Sequence, residues 1–77
     1  MIMELKEFIE KFAFEFDETP VELFNSKTKF KELDEWNSLS ALSIIAMVDE
    51  QCNVTITGAD LRNCTTIEEL YRLVNSK

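Results

Sequence analysis

Ser38 is the residue best placed to do chemistry in this chain. It lies within Leu33-Asp34-Glu35-Trp36-Asn37-Ser38-Leu39-Ser40-Ala41-Leu42, which starts as an acidic turn and runs into the most apolar helical segment. A hydroxyl at the point where loop becomes helix has two uses. It caps the helix by accepting from a backbone N–H of the first turn, or it is a place where a group is attached. Asn37, beside it, caps as well as serine does, and two caps in succession free one of them for another duty. A phosphodiester on Ser38 would lie near the positive end of the helix dipole, close to unpaired N–H groups. Position alone leaves both uses open.

Catalysis is harder to build from these residues. The chain has no histidine, which removes the usual general base and the commonest transition-metal ligand. A serine nucleophile is then left with lysine or carboxylate variants. Asp34 and Glu35 form a carboxylate pair, but a bundle of 77 residues has little volume for the enclosed pocket that acid–base work requires. A calcium loop starting at Asp49 would place Val54 where the sharp turn needs glycine. With one glycine in the chain there is no glycine-rich phosphate loop. Cys52 and Cys64 are too few for a disulfide framework and lack the clustering of a zinc site, so they read as small apolar residues in or near the core. Lys27, Lys29 and Lys31 alternate beside Phe30 and read as a solvated loop face. The expectation is a protein that is not an enzyme and holds no metal.

Composition narrows the partners. Fifteen acidic against eight basic residues give a net charge of −7. Such a chain repels nucleic acid and anionic membranes, whose binding needs clustered Lys and Arg, and its natural partners are basic protein surfaces. No apolar run follows a basic start, so no signal peptide is expected. The longest apolar stretch, Ala41 to Val48, is interrupted by Ser43 and is far too short to span a bilayer. A cytoplasmic monomer without membrane insertion is the default. Residues 1–77 read as a single domain, small enough to bury only about 60% of its unfolded surface. Hydrophobic content of 45% is normal for a folded globule, and one Gly with one Pro argues for helices over hairpins.

Helical spacing then supplies the elements that must position Ser38. Leu5, Phe8, Ile9, Phe12, Ala13 and Phe16 form one apolar stripe, with Glu4, Glu7, Lys11, Phe14 and Glu15 facing away. Glu7 and Lys11 stand in the favourable i,i+4 order. Asp17-Glu18-Thr19-Pro20 ends that helix. The long connection from Val21 to Asn37 is expected to be pinned on the core by Val21, Leu23, Phe24, Phe30 and Leu33, with a short turn near Glu22 to Asn25. A second helix runs from about Ser38 to Cys52. Wound at about 100° per residue, it buries Ala41, Ile44, Ile45, Val48 and Cys52 and leaves Leu39, Leu42, Ala46 and Met47 outside, beside Asp49 and Glu50. A helix apolar nearly all round is central in a core, or docks a partner, or does both. Asn53 to Thr57 reads as an extended connector that tucks in Val54 and Ile56, and Gly58 to Arg62 as a short helix or turn. Two overlapping capping boxes at Thr65 and Thr66 start a last helix carrying Ile67, Leu70, Tyr71 and Val74. The fold class is all-α: a small four-helix bundle of three main helices and one short one.

Over nearly its whole length the chain resembles the acyl carrier proteins of the phosphopantetheine-binding family. Phe30-Lys31-Glu32-Leu33 resembles the segment before the attachment site, and Asn37-Ser38-Leu39 stands in for the family's Asp-Ser-Leu motif. Val54-Thr55-Ile56 and Thr65-Thr66-Ile67 match later landmarks at suitable spacing. The resemblance implies that Ser38 receives 4′-phosphopantetheine from coenzyme A, through a separate phosphopantetheinyl transferase that uses magnesium. It implies that the arm's thiol carries acyl intermediates as thioesters for fatty-acid or related biosynthesis, and that acyl-transferring and chain-elongating enzymes with basic docking surfaces are the partners. The second helix is then the recognition helix, with Leu39, Leu42, Ala46, Met47, Asp49 and Glu50 as its matching face, flanked by Asn37, Asp34 and Glu35. Tethering raises the effective concentration of cargo at successive enzymes, while the acids steer basic partners.

Three differences set this chain apart from that pattern. Asn37 replaces the usual aspartate, removing a charge that helps bind the transferase or its magnesium, and Asp34 or Glu35 is positioned to compensate. The turn before Ser38 is a residue longer and carries Trp36, read as an anchor for the loop ahead of a shield for the arm. Ser40 and Ser43 occupy positions that are often acidic, so recognition leans more on apolar contact. The competing reading is a helical interaction module that docks partners through the second helix with no cofactor.

Overall fold

The periodic stripe beginning at Leu5 becomes the first helix, α1 (Leu5–Phe14), in the computed structural model, which describes residues 3–77. Phe8, Phe12 and Ala13 are buried, and Phe14 faces out at 84% exposure. Regular winding stops at Phe14, earlier than the proline demands. The N–H groups of Glu15 and Phe16 donate to Phe12 and Ala13 carbonyls three residues back, at 3.1 and 3.0 Å, a tightened last turn that keeps Phe16 inward. Glu7 and Lys11 do not join the ion pairs found among the described residues, which are Glu68–Arg72 and Asp60–Lys77.

The connection after α1 contains two single 3₁₀ turns, Val21–Leu23 and Phe30–Glu32. Only part of it is pinned as the apolar pattern suggests. Phe24 and Phe30 are buried and Leu33 packs on the core, whereas Val21 and Leu23 are 62% and 55% exposed. Phe24 explains the difference: its ring packs on Phe12 and Phe16, at centroid distances of 6.2 and 5.4 Å, and occupies the inward position of the turn. Phe30 meets Phe12 edge-on at 5.4 Å, and Trp36 meets Phe30 at 5.1 Å and Phe16 at 6.3 Å. These aromatic contacts fasten the loop to α1.

The remaining helices follow the expected order: α2 (Ser38–Cys52), α3 (Gly58–Asn63) and α4 (Ile67–Ser76). They complete a small all-α bundle of four helices, one of them short. Asn53 takes the left-handed conformation at the end of α2 (φ 56°), which asparagine tolerates better than most residues. The chain then runs extended to Thr57, burying Ile56 and half-burying Val54. A reciprocal capping box opens α3: Asp60 N–H donates to Thr57 Oγ1, and Thr57 N–H donates to the Asp60 carboxylate.

At α4 one of the two overlapping threonine signals acts as the cap. Glu69 N–H donates to Thr66 Oγ1 at 3.2 Å, while the Glu69 carboxylate accepts from Thr65 N–H at 2.7 Å. The first-turn N–H groups of Ile67 and Glu68 donate to the carbonyls of Thr28 and Ser26. The long loop therefore supplies acceptors that the start of α4 would otherwise lack. Midway along α4, the Tyr71 hydroxyl donates to the Met3 carbonyl. The core is continuous through Phe8, Phe12, Phe30, Ile44, Val48, Ile67 and Leu70, all fully buried. Cys52 and Cys64 lie in it as free thiols, and burial pushes both thiol pKa values up. Among the described residues no helix is long and apolar enough to cross a membrane.

Candidate functional site

Asn37 takes the N-cap of α2. Its side-chain Oδ1 accepts from the N–H groups of Leu39 and Ser40 at 2.9 and 3.0 Å, and its extended backbone (φ −157°) turns the chain into the helix. The Ser40 hydroxyl donates to the Glu35 carbonyl at 2.8 Å, which closes the turn from below. Ser38 is the first helical residue. It is exposed, and its hydroxyl makes no hydrogen bond with any described residue. Of the two capping candidates in the sequence, asparagine caps and serine is left uncommitted.

Ser38 opens onto a groove of about 330 Å³ between the end of the long loop and α3. Trp36, Ala41 and Leu61 give it apolar walls, and Lys31 and Arg62 bring two cations to it. Lys31 Nζ donates to the Arg62 carbonyl at 2.7 Å, joining the loop to the last turn of α3. Lys31, read from the sequence as part of a solvated lysine face, is thus tied down and half-buried. No sequence signal marks Arg62, because residues 31 and 62 come together only through tertiary packing. Trp36 both anchors the loop, through Phe16 and Phe30, and lines this groove.

The two acids before Trp36 separate. Asp34 is exposed. Glu35 turns back to the end of α1, where its carboxylate accepts from Asp17 N–H, Glu18 N–H and the Thr19 hydroxyl at 3.1, 3.1 and 2.7 Å. The Thr19 hydrogen bond, with help from the backbone N–H groups and against a smaller desolvation effect, holds the Glu35 carboxyl below the usual glutamate value. Glu35 is therefore engaged within the fold, and of the pair Asp34 is the acid open to a partner.

The outer face of α2 presents Leu39 and Leu42 at 73% and 61% exposure, together with exposed Ala46, Asp49 and Glu50. Met47 is a correction to the expected face: it is 5% exposed and belongs to the core. Glu10, Lys11 and Phe14 of α1 border the same surface cavity as Met47, so α1 lies beside that side of α2. Helical periodicity locates a side chain around the axis but does not reveal which neighbour will approach it.

A family model described as the phosphopantetheine attachment site matches residues 15–74 of the chain. No curated protein and no solved structure matches.

Proposed function

The chain belongs to the phosphopantetheine attachment-site family, and we propose that Ser38 is the residue to which its 4′-phosphopantetheine is joined. Domains of this family are non-catalytic carriers of that covalent arm, and they work with transferases and biosynthetic enzymes. One observation carries the assignment of the serine: its hydroxyl is exposed and uncommitted because Asn37 does the capping. Attachment joins the Ser38 oxygen to the phosphorus that bears pantetheine in coenzyme A. The pyrophosphate bond breaks, the adenosine bisphosphate leaves, and the serine proton passes to a base of the phosphopantetheinyl transferase.

The residues around Ser38 suit a phosphodiester. The start of α2 brings the positive end of the helix dipole, and Lys31 and Arg62 line the groove onto which Ser38 opens. The thiol of the bound arm supplies thioester chemistry. The protein's own part is to present Ser38 on a rigid helix end and to offer a docking face. Acyl intermediates of fatty-acid biosynthesis, or of a related polyketide, peptide or D-alanine pathway, are the proposed cargo, carried by a single-domain monomer in the cytoplasm. The proposed partners are acyl-transferring and chain-elongating enzymes with basic docking surfaces. Leu39, Leu42 and Ala46 give contact area on that face, and Asp34, Asp49 and Glu50 supply the charge that steers them.

Incubation with coenzyme A and a broad-specificity phosphopantetheinyl transferase tests the assignment by intact mass. One phosphopantetheine increment is expected on the native protein and none on Ser38→Ala. An increment that persists in Ser38→Ala would move the site elsewhere. No increment with several transferases would favour the cofactor-free docking module.

A further inference from the structure

Glu35 stands three residues before Ser38 and is held from two directions. Its carboxylate accepts from the N–H groups of Asp17 and Glu18, one on each oxygen, and from the Thr19 hydroxyl, all just past the end of α1. Its main-chain carbonyl accepts from the Ser40 hydroxyl in the first turn of α2 at 2.8 Å. That second contact needs a hydroxyl at position 40, since a carboxylate there has no proton to donate. Ser38 lies between the two residues of that contact. The next residue after Glu35, Trp36, stacks on Phe16 at a centroid distance of 6.3 Å. Two adjacent residues, one polar and one aromatic, therefore close the neck of the loop that leaves α1. Asn37 decides where α2 starts, and Glu35 decides where that start sits relative to α1.

Resting on the reading that Ser38 carries the arm, we propose that Glu35 is a positioning residue for its attachment. It acts through the turn: by tying the start of α2 to the end of α1, it presents Ser38 to the transferase in one pose. An open neck lets that start adopt several poses. A partner that binds only one of them then sees its apparent affinity fall by the fraction of molecules holding it. Once docked, the serine reacts as before, so the loss appears in KM for the carrier and not in kcat. Bonds to an ionised carboxylate are the stronger kind, and glutamine keeps the shape while losing them. Whichever way its amide faces, an NH2 group replaces one of the two accepting oxygens and meets an N–H donor.

Loading from coenzyme A by a broad-specificity phosphopantetheinyl transferase is followed by intact mass over a range of carrier concentrations. The temperature is one at which circular dichroism shows each variant fully folded. Glu35→Gln is expected to raise KM for the carrier about 3- to 10-fold with kcat unchanged, as when about a third to a tenth of the molecules hold the competent pose. Thr19→Val, which removes one donor from the other side of the neck, is expected to raise it less. Thr19→Ser keeps the hydroxyl and is expected to retain the native value. Thr66→Ala removes the cap of α4 and is expected to lower stability while leaving KM native. An equal rise in Thr66→Ala would show KM following stability and would overturn the positioning role. A native KM in Glu35→Gln, or in Thr19→Val if Glu35→Gln does not fold, would overturn it too and leave the Ser38 reading standing. Absence of any increment on the native protein would overturn the Ser38 reading, and this inference with it.

Discussion

Neighbouring carboxylates in this chain have different fates, and Glu35 shows why residue type alone does not settle a role. Its carboxylate gathers Asp17 N–H, Glu18 N–H and the Thr19 hydroxyl. The three donors sit where α1 has ended and the loop has not yet reached its first 3₁₀ turn. Because these donors depress its folded-state pKa, Glu35 contributes stability that is present above the unfolded glutamate value and is lost as pH falls through the folded one. Glu35→Gln removes one acceptor position and the charge. The variant is expected to melt lower than the native protein at neutral pH, with the gap closing as pH drops through that acid range. Melting curves followed by circular dichroism across pH 7 to 2 check this, and a gap independent of pH would mean the contacts matter sterically instead. Ser38 is the opposite case: its hydroxyl bonds to no described residue, which suits the attachment proposed for it.

Among the elements, α2 is the one that the site depends on, and its start is built by Asn37. The cap fixes where the first helical turn begins, and with it the direction in which Ser38 points. Removing a cap typically costs about 1 kcal/mol. Asn37→Ala is therefore expected to lower stability by about that amount in a urea titration. Asn37→Asp preserves the acceptor and adds a negative charge at the positive end of the dipole, so it is expected to hold or slightly raise stability. If the missing carboxylate limits transferase recognition, Asn37→Asp also loads faster by mass-resolved kinetics. An unchanged rate would mean that Asp34 already supplies the charge, since Glu35 is committed elsewhere, or that none is needed. The exposed leucines of α2 contribute little to folding, and their place on its outer face fits the docking role proposed for that helix.

For the whole molecule, the aromatic cluster is the structural link between core and site. Phe12 and Phe16 of the first helical segment receive Phe24, Phe30 and Trp36 from the loop. Trp36 stands two residues before Ser38, so the cluster sets the position of the proposed attachment site as well as the stability of the bundle. Phe30 is fully buried, and Phe30→Ala is expected to cost about 3–5 kcal/mol. That is a large part of the stability of a small domain, for which about 5 kcal/mol is typical at the low end. Val21→Ala, at an exposed position of the same loop, is expected to stay within about 0.5 kcal/mol of the native protein. Urea denaturation of the two variants separates them, and equal losses would show that the loop is fastened by more than its inward aromatics.

The sequence by itself determined the four helices, their order and their approximate bounds. It also placed the cap of α2 at residue 37 or 38 and both cysteines in or near the core. These properties are written in spans of a few residues, where spacing and capping chemistry act locally. The Thr57–Asp60 box is of the same local kind. What only the tertiary structure decided is how those pieces meet. Met47 is buried in the shared core, on a side of α2 that α1 runs beside. Val21 and Leu23 stay exposed because Phe24 fills the inward position. Glu35 faces Thr19 and Lys31 meets Arg62 because the loop folds back on helices distant in sequence. Periodicity names a face, but the neighbour that covers it, or leaves it open for a partner, is chosen by long-range packing.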